Sequence, residues 1–213
     1  MPNHLQPTLG QEQRLWAAGY AHVAGIDEAG RGALAGPVVA AAVITPPGAQ
    51  LAGVWAQVLD SKLLSPARRA ALTPCIQAAA LTWAVGVASA QVIDAVGIAA
   101  ATRQAMCAAI NALTPQPDWL LIDWVKLPEV AIPQTSSVRA DQTIVSVAAA
   151  SILAKTHRDD LMRALHAQYP YYGFTAHKGY AAALHREALA RFGPCPEHRH
   201  TFAPIAQPRL LTE

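Results

Sequence analysis

The chain has 213 residues, enough for one domain with a full apolar core and no disulfide or metal staples. Hydrophobic residues make up 53% and charged residues 14%, which excludes intrinsic disorder, while 13 Gly, 16 Pro and 3 Cys exclude collagen-like and disulfide-scaffold classes. A net charge of +2 is too small to imply nucleic acid by itself.

Residues 1–20 read as a lead-in, helical from Gly10 to Ala18. His22 to Asp27 is a short apolar run, and Val38 to Ile44 is a second with two prolines behind it; both read as strands. Ser65-Pro66 opens a helix to about Ala80, with Ser as N-cap and Pro in the first turn. Trp83 to Ala88 is β-like and Gln91 to Leu113 helical. Pro117 introduces the strand Trp119 to Asp123, and a proline-broken loop leads to a β-like segment, Ser136 to Asp141. Thr143 to Ala167 reads as one long helix ended by Tyr169-Pro170, and Lys178 to Phe192 as another, stopped by Gly193-Pro194. The order predicts an α/β fold: a mixed β-sheet flanked by helices, with a helical C-terminal region over about 169–213.

Charge is unevenly spread. Residues 1–138 hold 7 Lys/Arg and 8 Asp/Glu, whereas residues 139–213 hold 9 and 6 and also 6 of the 8 His. A basic C-terminal third could face a polyanion, although on charge alone an ordinary solvated surface is the preferred reading. Cys75, Cys107 and Cys195 are odd in number and widely spaced, which suits a reducing compartment and offers no zinc pattern. Met1 to Gly10 lacks the apolar core of a signal peptide, and prolines break the uncharged stretches. A cytoplasmic protein without a membrane span is expected.

Two apolar strands end in carboxylates, Asp27-Glu28 and Asp123. A charge at the end of a buried run is costly unless it is paired or bound to metal. With Asp141 after a third β-like segment, they suggest a shared acidic cluster that a hard divalent cation, Mg²⁺ or Mn²⁺, would relieve. The competing reading is three unrelated surface acids. Gly30-Arg31-Gly32, directly after the first pair, is a turn whose backbone can approach a ligand and whose Arg can fork onto phosphate; taken alone it is a tight turn with a surface Arg.

These blocks together resemble type 2 ribonuclease H, and within it bacterial ribonuclease HII, from about residue 22 to 204. The resemblance is carried by Gly25 to Gly32, Leu34 to Ala40, Leu59-Asp60-Ser61-Lys62, Leu121-Ile122-Asp123, Arg139-Ala140-Asp141, Ser146 to Lys155 with Arg158-Asp159, Tyr172-Gly173-Phe174, His177-Lys178-Gly179-Tyr180, His185, and His198 to Pro204. It implies a ribonuclease H-like catalytic domain spanning 1–213. It implies a metal site built from Asp27, Glu28, Asp123 and Asp141, with Asp159 in a structural role. Two Mn²⁺ or Mg²⁺ ions about 3.5–4 Å apart would serve phosphodiester hydrolysis. Asp27 would bridge them. Glu28 shares the site only if its strand bends or ends there, because neighbouring side chains on a strand point to opposite faces.

The implied substrates are RNA–DNA hybrids and duplex DNA carrying single ribonucleotides. Cleavage would fall 5′ to the ribonucleotide and leave a 3′-hydroxyl and a 5′-phosphate. Gly30, Arg31 and Gly32 would sense the 2′-hydroxyl, Tyr180 would recognise the ribonucleotide–deoxyribonucleotide junction, and Ser61, Lys62, Lys178 and Arg199 are candidate phosphate contacts. His198 and His200 would sit at a nucleic-acid edge or pack the tail.

The chain departs from the family pattern at Trp124 and Ala140, where Gly is usual, and at Ala33, where Pro is common. The alternatives are a hybrid-binding module of the same fold that has lost activity, or a ribonuclease HIII-like enzyme, for whose extra N-terminal domain only 26 residues precede Asp27. A monomer is the default. The tail, Gln207 to Glu213, lacks the aromatic pair of a clamp-binding peptide.

Overall fold

A computed structural model describes residues 6–206; the first residues of the lead-in and the tail from 207 to 213 lie outside it. The elements, in chain order, are α1 (Gly10–Ala17), β1 (Val23–Ala29), β2 (Val38–Ile44), α2 (Pro66–Ala79), β3 (Thr82–Ala88), α3 (Ala90–Val96), α4 (Ile98–Asn111), β4 (Trp119–Asp123), β5 (Gln134–Ser137), α5 (Val145–Gln168), α6 (Phe174–His177) and α7 (Ala183–Phe192). The strands form one sheet in the order β3-β2-β1-β4-β5. β1 pairs antiparallel with β2 and parallel with β4, so the sheet is mixed, as the element order predicts.

β2 is buried along its whole length because helices cover both faces of the sheet. Its residues Val38, Ala40, Ala42 and Ile44 enter the apolar cluster shared with α4, and Ala41 and Val43 the cluster shared with α5. Each large aliphatic side chain buried this way contributes about 1.5–3 kcal/mol. Two glycines set the helix-to-sheet distance. A Cβ on Gly25 would stand 2.2 Å from the Ser146 carbonyl carbon of α5, and one on Gly86 2.0 Å from the Ala105 oxygen of α4.

The lead-in has a structural task. The buried carboxylate of Glu12 accepts the Ser146 N–H at 2.9 Å and so caps the first turn of α5, where a helix favours negative charge. Among the described residues no helix is long and apolar enough to cross a membrane.

Three expected boundaries change. The helix expected over Gln91 to Leu113 is two helices, because Gly97 takes φ +80° and turns the chain between α3 and α4. The helix expected from Lys178 starts only at Ala183, because Lys178 and Gly179 both have positive φ and leave 178–182 as a loop. The β-like segment expected over Ser136 to Asp141 ends at Ser137, and Asp141 sits in a one-turn 3-10 helix, Ala140–Gln142, entered through left-handed Arg139.

Candidate active site

The ladder between parallel β1 and β4 ends at Ile26↔Ile122, and the next residues are Asp27 and Asp123. The carboxyl ends of neighbouring parallel strands are where open α/β sheets place their ligands. Here a cavity of about 240 Å³ is lined by Asp27, Glu28, Asp123, the turn Gly30–Gly32, Ser61, Lys62, Ser151, Lys155 and Tyr180. Asp27 and Glu28 both reach it, beyond the point where β4 has left the side of β1. Asp141 is not in the lining; it is linked to the cavity by Lys62, whose Nζ lies 3.3 Å from Asp141 Oδ2 and 3.9 Å from Asp60 Oδ1. The Ala140 N–H donates to Asp123 Oδ1 at 2.7 Å and ties the Asp141 turn to β4.

All four carboxyls are held above the usual carboxylate range, and burial is the first cause in each. Asp27 is raised furthest in character: besides its burial, Glu28 and Asp123 repel its charge. Arg31 opposes the rise of Glu28, the Ala140 N–H that of Asp123, and Lys62 that of Asp141. Lys62 is itself held above the ordinary amine value: burial works against its charge, and Asp141 with Asp60 more than offsets that.

This donor set fits a hard divalent cation. It gathers four oxygen-ligand side chains under electrostatic pressure, and the buried Glu28 Oε2 has no hydrogen-bond partner. As the side chains stand, no three His, Cys, Asp or Glu among the described residues close on one point. Lys62 stands beside Asp141 and Arg31 beside Glu28, each cation at one carboxylate oxygen.

The rim is built by buried guanidiniums. Arg199 is fully buried and donates to the carbonyls of Gly30 and Arg31, both at 2.7 Å, and of Gly36 at 2.9 Å. This corrects the expectation that Arg199 contacts phosphate: its donors are turned inward, and its work is to hold the turn. Arg158, also fully buried, donates to the carbonyls of Pro37, Ala35 and Lys178. Gly30 takes φ +96° against it, and a Cβ there would meet Arg158 Nε at 1.9 Å. Gly32 faces open space.

Tyr180 is on the cavity's lip, its ring 5.3 Å from the Arg158 guanidinium. The loop that carries it is pinned from two sides. His177 receives the Gly179 N–H, and His185 meets the Tyr180 carbonyl at 2.9 Å. Lys178 lies outside the cavity lining and turns its amine back to the Thr175 carbonyl. Ser61 is in the lining, its Oγ 2.8 Å from Ser151 Oγ.

Sequence reasoning passed over Ser151 and Lys155, which share one face of α5 at the helical i, i+4 spacing, a signal that was available. Asp159 accepts from Arg69 and Lys155, in keeping with a structural role. His198 is buried beside His185 and Cys195, and the backbone N–H of His200 donates to Asp94.

A family model described as Ribonuclease HII matches residues 24–205. A curated Ribonuclease HII from Dehalococcoides mccartyi is 48% identical over 206 residues, covering 96% of this chain and 97% of the relative. One from Moorella thermoacetica is 51% identical over 191 residues, covering 90% and 91%. Among solved structures, the complex of PCNA with RNase HII from Archaeoglobus fulgidus matches with a TM-score of 0.70 at 28% identity, over 85% of this chain and 95% of that one.

Proposed function

The chain belongs to the ribonuclease HII family and is a divalent-metal-dependent endonuclease of RNA–DNA hybrids; from that premise we propose that it also incises duplex DNA 5′ to a single embedded ribonucleotide. The observation that carries this reading is that Gly30-Arg31-Gly32 and Tyr180 line the same cavity as Asp27, Glu28 and Asp123. Reaction chemistry and sugar recognition are thereby within one residue's reach of each other.

Asp27, Glu28, Asp123 and Asp141 would hold two ions, Mg²⁺ or Mn²⁺. When bound, these supply charge neutralisation at phosphorus and ease deprotonation of the attacking water. The rest falls to the chain. The turn at 30–32 is kept in shape by Arg199 from beneath, so its peptide groups meet a 2′-hydroxyl without rearranging. Tyr180 places its ring against the neighbouring sugar and its hydroxyl toward the ribonucleotide. Arg31, Ser61 and Lys62 seat the phosphates, and Lys178, farther out, adds a backbone contact. The products are a 3′-hydroxyl and a 5′-phosphate. Residues 1–213 act as one catalytic domain, with the C-terminal region over about 169–213 contributing Tyr180 and the buried supports of the turn.

A gel assay on a DNA duplex with one internal ribonucleotide tests this, run with Mg²⁺, with Mn²⁺ and with EDTA beside an all-DNA control. Metal-dependent incision on the 5′ side, with the control intact, is expected. An uncut ribonucleotide duplex in a preparation that still cuts hybrids would overturn the single-ribonucleotide reading.

A further inference from the structure

Trp124 directly follows Asp123 and occupies the centre of a three-residue turn. The Val125 N–H donates across it to the Asp123 carbonyl at 2.8 Å, and its own N–H donates to Ser137 at 3.0 Å. Its φ is +67°. A turn with this hydrogen bond and a positive φ at its centre is the rare, strained kind, which glycine would adopt freely. A strained residue persists at a site when its surroundings return something for it.

What the indole does is visible on its inner face. The Arg31 guanidinium carbon lies 3.9 Å from the ring centroid, while Trp124 as a residue remains half exposed. Arg31 has little else to fix it. Its Nη1 reaches Glu28 at 3.4 Å, long for a hydrogen bond, and its buried Nε has no hydrogen-bond partner. Stacking on a ring face constrains the guanidinium plane yet leaves its in-plane N–H edge free to donate.

We propose that Trp124 is a positioning residue whose ring sets the Arg31 guanidinium for the sugar–phosphate backbone of the substrate duplex. The proposal rests on the reading of Gly30-Arg31-Gly32 as a substrate contact. It assigns a role to the side chain rather than to its bulk: an aromatic replacement retains the function and an aliphatic one of similar reach loses it. The strain at φ +67° is the local consequence of placing a ring there instead of a glycine.

The test uses the full chain and a fluorescein-labelled DNA duplex with one ribonucleotide. Binding is followed by anisotropy in EDTA, where hydrolysis does not intervene. Trp124→Leu is expected to weaken binding about three- to fivefold, and Trp124→Phe by less than about twofold. In an Arg31→Gln background Trp124→Leu should add nothing. In steady state with Mn²⁺ the loss falls on KM rather than on kcat. Trp124→Gly should bind as weakly as Trp124→Leu while melting at a higher temperature, which separates lost positioning from lost folding. If Arg31→Gln weakens binding and Trp124→Leu does not, or if Trp124→Leu weakens it equally in both backgrounds, the positioning role is overturned. If Arg31→Gln itself leaves binding unchanged, Arg31 is not a substrate contact, and the reading beneath the proposal falls with it.

Discussion

Around His198 the ring nitrogens meet partners that fix their roles, whereas around Asp27 the nearest carboxyls repel it. The Tyr180 carbonyl can only accept, so His185 Nδ1 carries a proton and its Nε2 is bare. That bare nitrogen receives the His198 Nε2–H at 3.0 Å, which leaves His198 Nδ1 to accept the Cys195 N–H, also at 3.0 Å. His177 stacks on His185 with its Nε2 on the Tyr172 carbonyl and its Nδ1 on the Gly179 N–H. Nothing in this cluster needs a visitor. The carboxyl cluster has an orphaned Glu28 oxygen and two cations of the chain drawn in by Asp141 and Glu28. The difference teaches how a fold divides its tasks. A satisfied polar network holds a loop in place, and an unsatisfied one keeps a desolvation penalty that an ion, once bound, would relieve.

The sharpest way to break the comparison is Asp27→Asn. Hydrolysis of hybrids should fall to background on a gel, yet in EDTA near neutral pH the variant should melt at a higher temperature than the parent, since a buried, repelled charge is gone. A lower melting temperature would mean that the cluster is already satisfied. His185→Ala should do the reverse for stability. It removes a fully buried ring and orphans the Tyr180 carbonyl and the His198 N–H, costing about 2–4 kcal/mol by urea titration.

Acid separates the two clusters by sign. Burial, then the neighbouring His185, pulls the His198 pKa down to about 4 from 6.5. The unfolded chain therefore binds a proton that the folded one refuses, and stability present above pH 6.5 is lost as pH falls toward 4. The raised carboxyls act oppositely, since below their folded pKa values the folded state no longer bears their charge. Melting curves from pH 7 to 4 in EDTA should then be shallower for His198→Gln and steeper for Asp27→Asn. The smallest effect belongs to Lys62→Gln. The Lys62 side chain is 76% exposed, so its pair with Asp141 should change unfolding free energy by less than about 1 kcal/mol, although Asp141 loses its counter-charge.

Much of this was legible in the chain. Val38 to Ile44 is uniformly apolar because both of its faces are covered, and Ser65-Pro66 announces its helix by capping chemistry. Asp27 and Asp123 stand out because a charge ending an apolar run has to be accounted for. Asp141 joined them as the acid after a third β-like segment and Glu28 as the second half of the Asp27-Glu28 pair; strand parity argued against Glu28, and the family resemblance made the four a metal set. Other features resisted reading for a physical reason. Arg199 looked like any basic residue near a polyanion site, and only carbonyls 163 to 169 residues away reveal that it points inward. Gly97 and the 178–182 loop sit inside helical patterns, where one positive φ decides the outcome and hydrophobic period does not register it. The contact of Trp124 with Arg31 joins the end of β4 to the turn after β1, and no local pattern carries it.

The Gly30–Gly32 turn has a further consequence, in time rather than in space. As the polypeptide leaves the ribosome, Asp27 and Glu28 emerge early, and the carbonyls of Gly30 and Arg31 with them. The guanidinium that caps them emerges last of all the parts of the site, 168 and 169 residues later. A nascent chain halted between Asp141 and Arg199 has its acidic residues and an unsupported turn. The turn therefore gains its support only after every residue lining the cavity has been made, and a product interrupted before Arg199 is born without it.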